Sequence, residues 1–496
     1  MGRASSRSHA RLSRRDLILV GVAVLMGVGA FVLSSALTYR LGFPLDDSWI
    51  HAVYARNLAL HGEWAFQLGH PAAGSTAPFW ALLLVPGFWL GLEPLWWSFL
   101  LGCVALYALS LLAEHLVRTV EATYRPRMPW IALFIAGEWH MLWAAASGME
   151  TALHALLLTA VVALLVTGSR RHLQMGLLTG LSVWVRPDGL TLIAPVLLAL
   201  LLERGIRPAA WRSALMYLIG FALLFLPFIG TNLRLSGAPM PNTFYAKQIE
   251  YAAWQSRPLA YRAGVLMQQV ITGPGILLIP GVIAAAVDSI RRKRWRFVLV
   301  LAWCVSYFVT YMLRLPAYQH GRYLMPAMPT FFLLGWLGFL EFRNKTIVGP
   351  HQQAIRTAFQ LSIALLTVGF LVLGARAYGR DVALIESEMV ATARWVAEEL
   401  PPGAVVAAHD IGALGYFDNH SLVDLAGLAS PEVLPFMRDE PRLAQFLDQR
   451  GVSYLIAFPD LYPRLTTASE PVFSTAGRFA PEMGGQNMTV YCWSCR

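Results

Sequence analysis

Two adjacent carboxylates, Asp46 and Asp47, lie just after an apolar run that ends near Leu37 and is long enough to cross a lipid bilayer. Ionised side chains beside a membrane are energetically costly unless the protein uses them. Repulsion between neighbouring carboxylates raises the pKa of one of them, which suits that group to act as a general base. The pair is therefore our candidate for the catalytic acids. His51 and Arg56 follow in the same segment as candidates for acceptor binding or for a lid.

Cations and further acids recur in short polar motifs between later apolar segments. The candidates for binding a donor phosphate are Glu150, Arg186, Lys247, His320, Arg322 and Tyr323, and Asp188 and Asp410 are further candidates for an acceptor site or a lid. Arginine binds phosphate through two parallel N–H donors, and a clamped phosphate leaves more easily because its developing charge is stabilised. Together with a carboxylate that removes the proton of an acceptor hydroxyl, these residues predict group transfer from an anionic lipid carrier.

Each of these residues also has a purely structural interpretation. The apolar spacing in SWIHAVYARNLAL predicts a helix directly after the acid pair, and aspartate is a favoured N-cap. The structural alternatives are N-capping by Asp46, Asp47 or Glu150, pairing of Arg186 with Asp188, solvation of Lys247, and a turn position for Asp410. Both interpretations stay open at the level of the sequence.

The composition identifies the class of protein. Of the 496 residues, 56% are hydrophobic and only 14% are charged, and the mean hydropathy is +0.52. A soluble globular chain carries about 25% charged residues. Apolar windows of about 20 residues recur, each long enough to cross a hydrocarbon core of roughly 30 Å. The sequence therefore predicts an α-helical polytopic membrane protein.

The net charge of +10 is not spread evenly along the chain. Lysine and arginine bunch in short loops near residues 3–15, 118–127, 170–171, 204–212, 291–296 and 343–356. This distribution is typical of cytoplasmic loops under the positive-inside rule. A nucleic-acid-binding surface would instead need basic residues on one face together with stacking aromatics. We therefore expect no nucleic-acid partner and a location in the cytoplasmic (inner) membrane.

Placing every basic loop inside the cell gives a map of about eleven crossings. The predicted crossings are 16–38, 96–117, 130–146, 151–167, 173–186, 189–203, 212–230, 264–287, 297–314, 323–341 and 358–375. Pro86 and Gly87 interrupt the apolar segment 77–93, which we interpret as a re-entrant or interfacial helix. The first apolar run is longer than a signal-peptide core, so it predicts an uncleaved anchor with a cytoplasmic N-terminus.

Residues 380–496 have a different composition and predict a small extracytoplasmic α/β domain. DVALIESEMVATARWVAEELPPG has the pattern of an amphipathic helix that ends at Pro-Pro-Gly. The runs AVVAAHD, VSYLIAFP and MTVYCW are typical of short strands. Asp410 would then lie where a strand ends, which is where open sheets place ligands. The terminal CWSC predicts a small disulfide ring, with free thiols as the alternative.

Seven motifs occur in an order that resembles the GT-C membrane glycosyltransferases, and most resembles the branch with the mycobacterial terminal arabinofuranosyltransferases. They are LDDSWIHAVYARNLALHGEW, GSTAPFW, SGMETAL, VRPDGL, PNTFYAK, QHGRYLMPAMP and DIGALGYF…VDLAGL, spread over residues 40–430. The resemblance implies a transmembrane GT-C catalytic domain over 1–379 with a first outer loop over 39–78. It also implies a polyprenyl-phosphate sugar donor, with Asp46 as the base and Asp47 beside it. Its members differ in their need for a divalent metal, so a metal stays possible.

Two functions fit these observations. The first is transfer of a sugar from the lipid-linked donor to a cell-envelope glycan or lipid acceptor on the outer face of the membrane. The second is transport, by a flippase for lipid-linked sugars. Transporters usually place polar groups near the middle of the membrane, often on broken helices. The predicted crossings are nearly free of charge at mid-span, which favours the transferase; the sequence predicts no oligomeric state.

Overall fold

The computed structural model describes residues 12–121, 123–204, 207–346 and 352–495, and most of the chain is helical. Residues 1–11 and 347–351, parts of two basic segments, lie outside the described residues. The helices are α1 (Arg14–Thr38), α2 (Asp47–His61), α3 (Pro78–Trp89), α4 (Pro94–Val120), α5 (Trp130–Gly137), α6 (Trp139–Ala146), α7 (Thr151–Val166), α8 (His172–Val185), α9 (Ile193–Arg204), α10 (Pro208–Ser236), α11 (Asn242–Glu250), α12 (Ala252–Gln255), α13 (Leu259–Ile271), α14 (Ile279–Arg291), α15 (Trp295–Arg314), α16 (Met328–Thr346), α17 (Gln352–Ile385), α18 (Ala391–Glu399), α19 (Gly412–Phe417), α20 (Glu440–Gln449), α21 (Pro463–Thr467) and α22 (Phe479–Glu482).

Short strands and 3-10 turns complete the chain. The strands are β1 (Ala65–Gln67), β2 (His70–Pro71), β3 (Val405–Ala408), β4 (Ser421–Asp424), β5 (Tyr454–Ala457), β6 (Glu470–Ser474) and β7 (Thr489–Cys492). The 3-10 turns are Pro187–Leu192, Pro274–Leu278, Gln319–Gly321, Met325–Ala327, Pro431–Phe436 and Pro459–Leu461.

The chain is a multi-pass membrane protein. Within the described residues, seven helical segments are long and apolar enough to cross a bilayer: Arg14–Thr38, Pro94–Val120, Pro208–Ser236, Pro274–Arg291, Trp295–Arg314, Gln319–Glu341 and Thr357–Glu399. The count of eleven crossings is not confirmed, because α7, α8 and α9 have only 16, 14 and 12 residues. Helix α3, in the segment predicted to be re-entrant or interfacial, has 12 residues and is likewise too short for a straight crossing.

The predicted helix over 130–146 is two helices, because a buried acid interrupts it. Glu138 is extended, with φ −73° and ψ 124°, and its carboxylate caps α6. The backbone N–H groups of His140 and Met141 donate to Glu138 Oε2 at 3.0 and 3.2 Å. A carboxylate buried in an apolar bundle needs such donors, and ending α5 at Gly137 supplies them.

The predicted crossing over 264–287 is also wrong in its extent. Gly273 has φ 134° and ψ −167°, a conformation that only glycine adopts readily, and Pro274 follows it. The break separates the amphipathic helix α13 from the membrane-crossing segment Pro274–Arg291. Proline is tolerated at the first position of the new helix because its missing N–H has no intrahelical partner there.

The predicted crossing over 358–375 is part of a much longer helix. Helix α17 continues to Ile385, passes through a π-helical turn over Glu386–Val390 and runs on as α18 to Glu399. The sequence has no proline between 352 and 400, so nothing ends the helix before the Pro-Pro-Gly stop. The membrane bundle and the C-terminal segment therefore share one continuous helix.

The C-terminal segment is built on a five-stranded sheet with the order β4-β3-β5-β7-β6. Strands β4, β3 and β5 are parallel, and β7 is antiparallel to both β5 and β6. The three strands predicted from the sequence are β3, β5 and β7. Cys492 and Cys495 form a disulfide at the end of β7, as the CWSC motif predicts.

The sheet is packed onto the loop that contains the acid pair. Trp49 of α2 lies between Tyr416 and Phe417 of the C-terminal segment, with ring centroids 4.8 Å away in each case. On the other side, buried Glu388 accepts hydrogen bonds from the backbone N–H of Met488 at 2.9 Å and from Asn487 Nδ2 at 3.1 Å. These contacts place the carboxyl ends of β3 and β4 above the start of α2.

Candidate functional site

A cleft of about 730 Å³, including its open mouth, lies between the membrane bundle and the C-terminal sheet. Six parts of the chain meet there: the start of α2, the helix α11, the turn before residue 322, the π-helical turn, and two loops of the sheet. The lining residues are Leu45, Asp46, Asp47, Ile50, Ala246, Lys247, Glu250, Tyr251, Tyr318, Gln319, Arg322, Ile385, Met389, His409, Asp410, Ile411, Ala426 and Leu428. Polar groups from distant parts of the sequence thus converge on one space.

Asp47 lies between two cations at the floor of this cleft. Its Oδ2 accepts a hydrogen bond from Arg322 Nη2 at 2.7 Å and lies 3.6 Å from Lys247 Nζ. Burial by itself would raise the pKa of Asp47, but the charges of Lys247 and Arg322 outweigh it and hold that pKa well below its usual range. Asp47 is therefore ionised at neutral pH, and its side chain is still 31% exposed to the cleft.

Arg322 is only partly hydrogen-bonded in the cleft. Its side chain is only 6% exposed, and Nη2 donates both to Asp47 and to Tyr323 Oη, the latter at 3.1 Å. Nε and Nη1 are buried and have no hydrogen-bond partner among the described residues. Leaving buried donors unpaired costs free energy, so the guanidinium is arranged for an acceptor that a ligand would supply.

The turn before Arg322 sets its direction. Gln319, His320 and Gly321 all have positive φ, at 42°, 59° and 71°. Such a conformation is uncommon for residues other than glycine, and it reverses the chain within three residues. The side chain of Arg322 thereby lies in the cleft, while that of His320 lies against the bundle.

Tyr323 is surrounded by cations. The guanidinium carbons of Arg322 and Arg186 lie 5.0 and 5.4 Å from its ring centroid, and Lys247 Nζ lies 5.5 Å away. These distances are within the range of cation–π attraction, which is strengthened where water is excluded. Tyr323 therefore links the two cations of the cleft to a deeper network.

Asp46 makes its hydrogen bonds to the C-terminal segment. The backbone N–H of Gly412 donates to its Oδ2 at 2.6 Å, and that of Ala413 donates to its Oδ1 at 2.8 Å. Its carboxylate makes no capping bond to α2, so it satisfies the start of α19 instead of its own helix. Burial first, and then the charge of Asp410, raise the pKa of Asp46 to about 7 in spite of these bonds.

A buried network continues from Tyr323 into the bundle. Arg186 Nη1 donates to Glu150 Oε1 at 2.9 Å, and Arg186 Nε donates to Asp188 Oδ1 at 3.2 Å. The phenol groups of Tyr307 and Tyr311 also donate to Asp188. The pairing of Arg186 with Asp188 that the sequence allowed is thus present, together with a bond to Glu150.

Other polar groups border this network on both sides. His51 Nε2 lies 3.5 Å from Glu150 Oε2, and His154 Nε2 lies 3.5 Å from Asp188 Oδ2. None of these residues lines the cleft itself. Glu150, Arg186, Asp188 and His51 are therefore held behind the cleft, and Arg186 lies against Tyr323, which accepts from Arg322.

Two residues that the sequence suggested for the site lie elsewhere. His320 Nε2 is 2.8 Å from Asp381 Oδ2 on α17, an oxygen that also accepts from Trp143 Nε1 at 2.9 Å. Arg56 donates to the backbone oxygens of Tyr416 and Gly415 at 2.7 and 2.9 Å. Neither lines the cleft, and both join parts of the chain that hold it in shape.

The sequence did not identify five polar residues of the cleft: Glu250, Tyr251, Tyr318, Gln319 and His409. Glu250 and Tyr251 follow Lys247 by three and four positions, so helical periodicity could have placed them on the same face as Lys247. His409 directly precedes Asp410. Tyr318 starts the motif that contains Arg322, but residue type alone gives no reason to separate it from packing tyrosines.

Within the described ranges, no three His, Cys, Asp or Glu side chains are grouped so that they could hold a metal ion. The cations of the cleft are instead Arg322 and Lys247. These two side chains can bind an anionic group.

The whole chain is similar to solved structures of one enzyme. ArnT from Cupriavidus metallidurans, bound to undecaprenyl phosphate, aligns with a TM-score of 0.58 at 15% identity, covering 97% of this chain and 98% of ArnT. The apo state of the same protein aligns with a TM-score of 0.57 at 16% identity, covering 96% and 98%. ArnT is a GT-C glycosyltransferase. The chain has a GT-C fold.

Sequence comparisons add one match. Residues 380–491 match the family described as a domain of unknown function (DUF8728). No curated protein is significantly similar in sequence to the chain. The structural similarity covers 97% of the chain. The segment that matches the sequence family, residues 380–491, includes the strands and loops that cover the cleft.

Proposed function

We propose that the protein is a membrane glycosyltransferase that moves a sugar from a polyprenyl-phosphate donor to a hydroxyl of a cell-envelope glycan or lipid. The observation that carries the proposal is the buried guanidinium of Arg322, with two unpaired nitrogens beside Lys247, in the same cleft as an acid whose pKa is raised to about 7. The two cations can stabilise an anionic leaving group, and the acid can act as a general base. The crystal structure of ArnT with undecaprenyl phosphate supports a lipid-linked donor.

In the proposed reaction the acceptor oxygen bonds to the anomeric carbon of the sugar while the bond from that carbon to the phosphate oxygen breaks. The proton of the acceptor hydroxyl passes to Asp46, and the bonding electron pair leaves with the polyprenyl phosphate. That phosphate gains one negative charge, which Arg322 and Lys247 stabilise in the transition state. Asp47 holds both cations in place before the donor arrives.

The deeper network has a positioning role in this proposal. Glu150 and Asp188 fix the guanidinium of Arg186, which lies against Tyr323. Tyr323 in turn accepts from Arg322. Shifting either acid would therefore move the phosphate-binding cation through two intermediates, without any direct contact to the substrate.

The proposed domain boundaries and membrane orientation are those that the sequence predicts. Residues 1–379 form the transmembrane catalytic domain, with the first outer loop over 39–78, and residues 380–496 form an extracytoplasmic domain. The N-terminus is cytoplasmic, and the reaction takes place on the outer face of the inner membrane. The motifs that resemble the arabinofuranosyltransferases make a polyprenyl-phosphate arabinofuranose the first donor to test.

The test compares transfer by purified protein in lipid nanodiscs, supplied with a radiolabelled polyprenyl-phosphate sugar and an extract of envelope glycans and lipids. We expect Asp46→Asn to lower transfer by about 10² to 10⁴-fold, the usual contribution of a general base. Asp460→Asn, a matched change at an exposed acid outside the cleft, should leave transfer unchanged. Equal transfer by Asp46→Asn and the native protein would exclude Asp46 as the base. Movement of the labelled lipid across proteoliposomes without transfer would support a flippase instead.

A further inference from the structure

The two ends of the cleft carry different charged groups: two cations around Asp47 at one end, and two carboxylates at the other, with Arg438 Nη2 3.9 Å from Glu250 Oε1. Arg322 and Lys247 lie at the end formed by the bundle. Glu250 and Asp410 lie at the end under the C-terminal sheet, with His409 between them. The proposed transferase needs a place for a phosphate and a place for an acceptor, and these two ends suit different chemical groups.

His409 is a polar residue of the cleft whose ring nitrogens lack hydrogen-bond partners in the described part of the chain. Its side chain is only 12% exposed. Nε2 lies 3.7 Å from Glu250 Oε1, and Nδ1 lies 3.7 Å from Asp410 Oδ1, both too long for hydrogen bonds. A buried polar ring between two carboxylates therefore has unused capacity that faces the cleft.

We propose that Glu250, His409 and Asp410 form the acceptor subsite and that this subsite takes the hydroxyl groups of an uncharged sugar. The inference rests on the proposed transferase function. A hydroxyl both donates and accepts, so one hydroxyl can donate to a carboxylate while it accepts from a ring N–H. A phosphate or carboxylate on the acceptor can only accept, and Glu250, Asp410 and Asp46 would repel it. Arg438, which lies 3.9 Å from Glu250 and is 40% exposed, offsets only part of this negative charge.

The proposed subsite lies close to the proposed general base. Asp410 is two residues from Gly412, whose backbone N–H donates to the proposed base Asp46. A hydroxyl held by His409 and Asp410 would therefore lie next to the carboxylate that takes its proton. Two tyrosines, Tyr251 and Tyr318, line the same cleft with ring centroids 6.1 Å apart. Aromatic walls with a few polar groups are typical of sites for small polar ligands.

The first test is binding of the full-length protein in nanodiscs to an array of envelope oligosaccharides printed as matched pairs. One member of each pair is neutral, and the other carries a phosphate monoester or a uronic acid. We expect the native protein to retain neutral members at least about tenfold better than their charged partners, and His409→Ala to lose this binding. His70→Ala, at an exposed histidine outside the cleft, is the matched control. Preference for charged members, equal binding by His409→Ala, or no binding to any member would each overturn the subsite.

The second test separates the acceptor from the donor. With the best neutral oligosaccharide as acceptor, His409→Ala and Glu250→Gln should raise its KM about tenfold, the effect expected for one lost hydrogen bond to a charged group. The Kd for undecaprenyl phosphate alone should change by less than about twofold. A proportional loss of phosphate binding would indicate a collapsed cleft and contradict a separate acceptor end. Failure of the native protein to bind undecaprenyl phosphate would count against the proposed function and not against the glycan array result.

Discussion

At the scale of single residues, the state of Arg322 explains why the cleft is suited to an anion. A guanidinium has five N–H donors, and burying it with Nε and Nη1 unpaired is costly unless another group completes its bonds. Asp47 and Tyr323 accept from Nη2 and leave the N–H groups of Nε and Nη1 unpaired. A phosphate oxygen can accept a charge-assisted hydrogen bond from either nitrogen.

The pH dependence of transfer follows from Asp46. A general base works only when it is ionised, and burial and the charge of Asp410 raise the pKa of Asp46 to about 7. The rate at saturating substrates should therefore rise with pH, with a midpoint near 7, and level off above it. Asp410→Asn removes a charge that raises this pKa, so the midpoint should move to lower pH. A midpoint that stays in place in Asp410→Asn, or a rate that falls as the pH rises through 7, would contradict the assignment.

The sequence identified several residues that line the cleft, but it could not show which way each side chain is oriented. Asp46, Asp47, Lys247, Arg322 and Asp410 line the cleft, whereas Glu150, Arg186 and Asp188 form the buried network behind it. His320 does not line the cleft, although it is two positions from Arg322. The left-handed turn that separates their directions has no signature in the residue types apart from Gly321, so only the structure resolves it.

At the scale of elements, the turn over Gln319–Gly321 connects the bundle to the phosphate-binding end of the cleft. His320 is fixed to α17 through Asp381, and Gly321 brings the chain back toward the cleft. A Cβ at Gly321 would lie 2.7 Å from Gln269 Cβ, which is closer than non-bonded carbons approach. The direction of Arg322 therefore depends on a glycine that does not contact the cleft.

Gly321→Ala should weaken phosphate binding. Its φ of 71° costs an alanine about 1–2 kcal/mol, and the close contact to Gln269 adds strain that the turn relieves by moving Arg322. We expect the Kd for undecaprenyl phosphate, measured by displacement of a fluorescent analogue, to increase at least about tenfold. Gly62→Ala is the control, because Gly62 has φ 72° with no atom within 4 Å of an added Cβ. If both variants bind alike, the turn does not set the direction of Arg322.

The elements themselves were predictable in part. Apolar length located the long helices, and alternation with turn residues located β3, β5 and β7. Hydropathy cannot reveal that Glu138 leaves the helical conformation to cap α6, because the gain comes from two backbone N–H groups in the next turn. It also predicts the apolar crossing and the amphipathic helix from residue 381 as separate helices, because residues 376–380 are compatible with either a loop or a helix.

At the scale of the whole molecule, Glu388 anchors the C-terminal sheet to the long helix. It is fully buried and accepts from the Met488 backbone N–H, from Asn487 and from the Thr475 hydroxyl. The contact lies in the π-helical turn, where the helix changes from the bundle to the sheet. The shape of the cleft therefore depends on this acid, although it is not a lining residue.

Glu388→Ala should destabilise the seating of the sheet. Three donors would lose their acceptor in a buried place, at a cost of roughly 3 kcal/mol. We expect a lower Tm in nanodiscs, by scanning fluorimetry, together with faster proteolysis between residues 400 and 495. Glu398→Ala, an exposed acid on the same helix, should behave like the native protein. An unchanged Tm for Glu388→Ala would show that the sheet is held by its apolar contacts alone.

The bonds from Gly412 and Ala413 to Asp46 connect the two halves of the molecule at the proposed general base. A side chain at position 412 would collide with the backbone oxygen of Asp46, so even alanine there would push the sheet away. Substitutions at position 412 must therefore stay compatible with the backbone at Asp46 in the other half. We expect that grafting the C-terminal half of a distant relative onto this bundle would yield an inert chimera, unless the residues at 412 and 413 and the acid pair were transplanted as a unit.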